Sequence, residues 1–169
     1  MQMTLEEYKK LYPVATQPQF KLTPEKQHYR YIENQLQESF VATFREMQKK
    51  GVFKTVPDLE YIELMGMPNF GAKDKEPKKR IMRGAMNKRM GYKAGWPDIT
   101  IIWKLKDKNP RFGFIEVKAP DGVLSDSQKE LHPLLVAANI PLAVMRKHDD
   151  GMKALKRWGL LPSCYAGMY

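Results

Sequence analysis

The chain has 169 residues, with 29 lysines and arginines against 19 aspartates and glutamates, a formal net charge of +10. That length suits one domain, or one with an appendage, and a domain of this size buries roughly 70% of its unfolded surface, enough to fold without a disulfide or metal staple. The single cysteine, Cys164, excludes an internal disulfide and a cysteine-based zinc site and points to a reducing, intracellular (cytoplasmic) setting. No run of about 18 apolar residues is present to span a membrane. The first ten residues, MQMTLEEYKK, lack the apolar core of a signal peptide. The basic excess favours a polyanionic partner, most often nucleic acid.

Residues 1–23 read as an N-terminal appendage. Thr4 and Glu7 have capping-box spacing for a short helix ending near Pro13. Pro13, Pro18 and Pro24 disfavour a long one. A firm helix follows, with Thr23 as its cap, Pro24 in its first turn and Gly51 at its end. Ile32, Leu36, Phe40, Phe44 and Met47 fall within an arc of roughly 120° at helical spacing. Glu33 lies inside that arc, where a carboxylate costs free energy unless it is paired or holds a cation. Glu38 and Lys49 fall on the far side.

Residues 51–77 hold Pro57, Pro68 and Pro77 with Gly66 and Gly71, which imply loops and short strands. From residue 73 to 93 the chain is dense in basic residues, and Met82, Met86 and Met90 form an apolar helical stripe ended by Gly91. Lys78, Lys79, Arg80, Arg83, Lys88, Arg89 and Lys93 are the candidate phosphate-binding residues, with a solvated charged face as the alternative. Next come a strand at 98–103, turn residues at 106–110 and a strand at 111–119, each apolar on both sides and so expected in a sheet covered on both faces. Ser125 and Gln128 have capping-box spacing for a second helix, which Pro133 should kink or interrupt. Residues 140–146 read as a third core strand. Asp149 or Asp150 opens a last helix through Trp158, closed by Gly159.

The chemistry concentrates in GWPD at 95–98 and EVK at 116–118, with 17 residues between them. Glu116 and Lys118 project from one face of a strand. A hairpin can place the Asp98 carboxylate beside that of Glu116. Crowded carboxylates raise a pKa or recruit a cation, and such hard oxygen ligands suit Mg²⁺ or Mn²⁺. A lysine beside them can position water or stabilise developing negative charge. The competing reading is an exposed Glu116–Lys118 ion pair, with Asp98 as plain turn chemistry. Ile115 and Val117 count against it, because they set the pair inside an apolar strand.

A helix glutamate, G-x-P-D, E-x-K and S-x-x-Q, in that order, resemble the VRR-NUC branch of the PD-(D/E)XK nucleases. The likeness runs from about Ile32 to Gly159 through IENQ at 32–35, GWPDI at 95–99, FIEVKAPDGVLSDSQ at 114–128 and DDGMKALKRWG at 149–159. It implies an α/β, restriction-endonuclease-like core over residues 24–160, with residues 161–169 as a tail. The core would be a mixed sheet flanked by helices in αβββαβ order. The likeness also implies hydrolysis of DNA phosphodiesters with Mg²⁺ or Mn²⁺. By it, Asp98, Glu116 and the Val117 carbonyl are metal ligands and Glu33 binds metal directly or through water. Lys118 then handles the attacking water and Gln128 supports the site. Gln128 could instead serve only the Ser125 cap, and Glu33 could pair with a basic residue from 73–93. Likeness to Holliday-junction resolvases within the fold points to a homodimer and a branched substrate. The rival functions are a DNA-binding module without activity and a ribonuclease on the same fold.

The chain departs from the compact family form in its long 51–91 segment and in residues 1–23. His28, His132 and His148 have no metal-ligand spacing and read as surface or capping residues. Trp96 suits base stacking or the core equally, and Arg30, Tyr29 and Tyr31 lie near enough to Glu33 to touch a strand backbone.

Overall fold

The structure, a computed structural model, describes residues 23–66 and 93–162. The expected Thr4–Glu7 cap, the Met-striped basic helix with all its candidate phosphate-binding residues except Lys93, and Cys164 lie outside the described residues.

Helix α1 spans Pro24–Lys49. The Thr23 hydroxyl accepts the Lys26 N–H at 3.4 Å, and proline occupies the first turn, where its missing N–H has no intrahelical partner to lose. Phe40, Phe44 and Met47 are buried along the predicted stripe, and Leu36 packs against them. A 3₁₀ turn, Val52–Thr55, then buries Phe53 with its ring 4.8 Å from that of Phe44.

Strand β1 covers Leu59–Gly66, a strand in the region whose prolines and glycines imply loops and short strands. Its pairing register with the next strand shifts between Leu59 and Tyr61. The shift breaks the two-residue alternation from which a strand is recognised, so Leu59, Ile62 and Leu64 all reach the core. Arg45 ties α1 to this edge strand: its guanidinium pairs with Glu63 and donates to the Leu64 carbonyl at 3.0 Å. The Glu63 carboxyl is held below its ordinary pKa, first by the Leu64 N–H and then by Arg45.

Strands β2 (Ile99–Leu105) and β3 (Arg111–Val117) form the expected hairpin, and β4 (Leu142–Met145) adds parallel to β3. The sheet order is β1-β2-β3-β4. Helix α2, Asp126–Ala137, connects β3 to β4. It continues through Pro133, where a kink or an interruption had been expected. Leu131 and Leu135, on either side of the proline, pack with Phe114, Ile140 and Leu142. That burial outweighs the lost hydrogen bond and the ring clash of a helical proline. Helix α3, His148–Arg157, opens one residue earlier than expected. The Asp150 carboxylate accepts the N–H groups of Arg146 and Lys147, both at 3.0 Å.

Two apolar layers sandwich the sheet. On one face Ile99, Ile101, Trp103, Ile115, Val117 and Met145 meet α1 and α3. Gly151 lets α3 approach this closely, because a Cβ there would lie 2.5 Å from the Phe40 ring and 2.6 Å from Met145 Sδ. On the other face Phe114 meets α2. Alternation along β3 therefore puts Glu116 on the α2 side. The result is an α/β fold, a mixed four-stranded sheet flanked by helices in the expected order, with α3 added at the end.

Candidate active site

Asp98 stands one residue before β2, at the end of the Gly95–Pro97 turn. Gly95 has φ 84°, and a Cβ there would lie 2.5 Å from the Ser127 carbonyl oxygen and 2.9 Å from the Gln128 nitrogen. The turn thus rests directly on the backbone of the first turn of α2, a fit only glycine allows. The pairing of Ile99 with Ile115 sets residue 98 opposite residue 116. Asp98 Oδ2 accepts the Val117 N–H at 2.8 Å, fixing the carboxylate across the hairpin.

Glu116 is 1% exposed. Its Oε1 accepts from the Gln128 side-chain amide and lies 3.0 Å from Lys118 Nζ. Burial first, then repulsion from Asp98, pushes its pKa up to about 8 against the opposing charge of Lys118. Gln128 fills both roles the sequence left open. Its Oε1 accepts the Ser125 N–H at 2.8 Å as the capping box requires, while its Nε2 grips Glu116.

Glu33 reaches the same place from α1. Its Oε1 accepts the Ala119 N–H at 3.2 Å and lies 4.0 Å from Lys118 Nζ. Its side chain is 28% exposed, less enclosed than its place on the apolar stripe implied, because the fully buried part of that stripe begins only at Phe40. Arg146 donates to the carbonyls of Ala119 and Gly122, holding the loop that carries this N–H.

Asp98, Glu116, Val117, Lys118, Gln128 and Glu33 line one cavity of about 240 Å³ with Arg30, Asn34 and Gln37. The sequence offered Arg30 only as a strand-backbone contact near Glu33 and did not single out Asn34 or Gln37; Arg30 and Gln37 join Glu33 here. Their signal was helical spacing, since residues 30 and 37 lie three before and four after Glu33 on one helix surface. His132, read as a surface or capping residue, is buried at 6% exposure with its Nε2 3.6 Å from Glu116 Oε2. It lies one helical turn beyond Gln128, and that spacing was the missed signal. Burial first, then the charge of Lys118, lowers its pKa against the opposing pull of Asp98. His28 is exposed, and His148 Nε2 lies 2.9 Å from Thr43 Oγ1, away from the cavity. Trp96 packs edge-on against Phe114 at 5.1 Å and keeps 39% of its surface exposed. Lys93 is exposed.

Among the described residues no three histidine, cysteine, aspartate or glutamate side chains gather tightly enough to enclose a metal ion. What the cavity offers is a carboxylate pair, Asp98 and Glu116, with the backbone of Val117 between the elements and Glu33 held off by Lys118 and Ala119. The donors are hard oxygens, which fit Mg²⁺ or Mn²⁺.

A helix-flanked mixed sheet with Asp, Glu and Lys gathered at the adjoining ends of two strands has the make-up of a nuclease-type α/β domain. The model of the VRR-NUC domain matches residues 41–149, more than half of the chain, and the chain belongs to that family of nuclease-type, DNA-processing domains. Neither the curated proteins nor the solved structures compared with it gave a match. The matched span holds Asp98, Glu116, Lys118, Gln128 and His132, whereas Glu33 and Arg30 precede it. Among the described residues no helix is long and apolar enough to cross a membrane.

Proposed function

We propose that this chain is a Mg²⁺- or Mn²⁺-dependent endonuclease that hydrolyses DNA phosphodiester bonds. One observation carries the reading: Asp98, Glu116, Lys118, Gln128 and Glu33 open into a single polar cavity, with a carboxylate buried beside a second one. Asp98, Glu116 and the Val117 carbonyl would hold the ion, with Glu33 completing the set from α1. When bound, such an ion acidifies water and neutralises charge on a phosphate.

The side chains do the rest. A cation favours the ionised form of Glu116, which burial and Asp98 oppose. The Lys118 ammonium, fixed by Glu116, is a donor for the attacking water and for the charge that builds on the phosphate. Gln128 keeps the Glu116 carboxylate in one orientation. Arg30 at the cavity wall supplies a cation for the flanking phosphate. Lys78, Lys79, Arg80, Arg83, Lys88, Arg89 and Lys93 would extend that contact along the strand. A homodimer acting on branched or junction DNA extends this reading, motivated by the likeness to junction resolvases. Light scattering that gives a monomer near 19.7 kDa at working concentration removes the dimer.

The test is cleavage of single-stranded, duplex, flap and four-way DNA and matched RNA, in Mg²⁺, in Mn²⁺ and with chelator. Cleavage is expected on DNA only, lost with chelator, and lowered on the order of 10²–10³-fold by Lys118→Ala. If wild type and Lys118→Ala leave every DNA equally intact, the chain is a binding module. Preferential RNA cleavage makes it a ribonuclease.

A further inference from the structure

Two buried polar atoms face each other behind the cavity and have no other partner among the described residues. Glu116 Oε2 and His132 Nε2 are 3.6 Å apart, too far for a hydrogen bond, and neither makes one elsewhere among the described residues. An unmade hydrogen bond at such depth costs about 1–3 kcal/mol per group. The residues around the pair are otherwise satisfied: Glu116 Oε1 has both Gln128 and Lys118, and Asp98 has the Val117 N–H. The arrangement on α2 is specific. Gln128 and His132 are four residues apart, so they share one helix face, and that face addresses both oxygens of one carboxylate.

We propose that His132 is a positioning residue for Glu116, its Nε2–H donating to Oε2 while Gln128 donates to Oε1, so that the carboxylate plane is held for the cation. The proposal rests on the nuclease reading above for the role of that carboxylate. The gap from 3.6 Å to an ordinary N–H···O length near 2.9 Å closes by a small movement of either side chain. The Nδ1–H tautomer is excluded by the proposal, because it would set a bare Nε2 lone pair against a carboxylate oxygen. Histidine is a side chain that can be buried here and still end in one directed donor. Outer-layer donors of this kind are worth about 10- to 100-fold in metal affinity or activity.

The experiment uses the full chain with His132→Leu and His132→Gln. Mn²⁺ affinity is read by electron paramagnetic resonance, cleavage by kcat and KM, folding by thermal melting, and the wild-type imidazole tautomer by ¹⁵N NMR in Mg²⁺. The expected result is about a 10- to 100-fold loss in kcat and Mn²⁺ affinity for His132→Leu, with KM for DNA little changed. His132→Gln, which keeps a donor, should recover most of both. Wild-type kcat and Mn²⁺ affinity in His132→Leu would overturn the proposal, as would an Nδ1–H tautomer. If His132→Leu fails to fold, the tautomer and His132→Gln decide alone. If wild type cuts no DNA, the nuclease reading falls separately, and the Mn²⁺ and tautomer measurements still judge the placement of His132.

Discussion

The two faces of strand β3 make opposite use of the same stretch of chain. Ile115 and Val117 point to α1 and α3, where Phe40, Phe44, Trp103 and Met145 close a dry core. Glu116, between them, is as deeply buried but faces Asp98, Lys118, Gln128 and His132. The apolar face needs no exact partners, since dispersion and water exclusion are non-directional. On the polar face each buried atom needs a donor or acceptor in a defined place, and one carboxylate oxygen lacks it among the described residues. The comparison teaches that a single strand can carry rigidity on one side because it carries strain on the other: the core holds Glu116 in a place it would not choose.

That division can be broken at several points. The largest expected effect is on the apolar side. Phe44→Ala should lower stability by about 3–5 kcal/mol, read by urea unfolding, while folded protein keeps its cleavage rate per molecule. Loss of cleavage in fully folded Phe44→Ala would show that the two faces are not separable.

Gly95→Ala comes next. A left-handed non-glycine residue costs about 1–2 kcal/mol, and the new Cβ must also displace the Ser127 backbone. Because the turn seats Asp98 against α2, cleavage should fall at least about tenfold, the scale of a site displaced by a fraction of an ångström. Wild-type cleavage would mean Asp98 is placed without help from the turn.

The last test sharpens the polar side. Glu116 in the folded chain titrates near 8, above its ordinary 4.5. Between those values the unfolded chain releases a proton that the native protein keeps, so stability of the chelator-treated protein should fall as pH rises through that window. Below about 4.5 both states are protonated and the effect vanishes. Glu116→Gln removes this slope and should be more stable than wild type at pH 8, with no difference near pH 4. Millimolar Mg²⁺ should flatten the wild-type slope too. A pH-independent difference between the two proteins would sink the argument.

Much of this was legible in the residues. GWPD and EVK named the hairpin and its carboxylates, and Thr23, Pro24 and Phe40 to Met47 named the first helix, because caps and periodicity are local. Strand β1 was legible only as a short strand without bounds: its register shift at Leu59 and Tyr61 interrupts the alternation that marks a strand. Nor was His132, whose role depends on which way α2 docks, a tertiary fact. The same holds for Asn34 and Gln37, polar residues whose sequence looks like any solvated helix surface until Glu33 is seen to reach the Ala119 amide. Pro133 shows the converse, a local rule overridden by packing on both sides of it.

The Gln128 amide is one flat, stiff group bonded at both ends, to the Ser125 N–H and to Glu116. Whatever tugs on the carboxylate therefore tugs on the opening coil of α2, and fraying of that coil would slacken the carboxylate. The helix start and the pocket behave as a single mechanical joint, so the Ser125 amide proton serves as a built-in gauge of the charge held several bonds away.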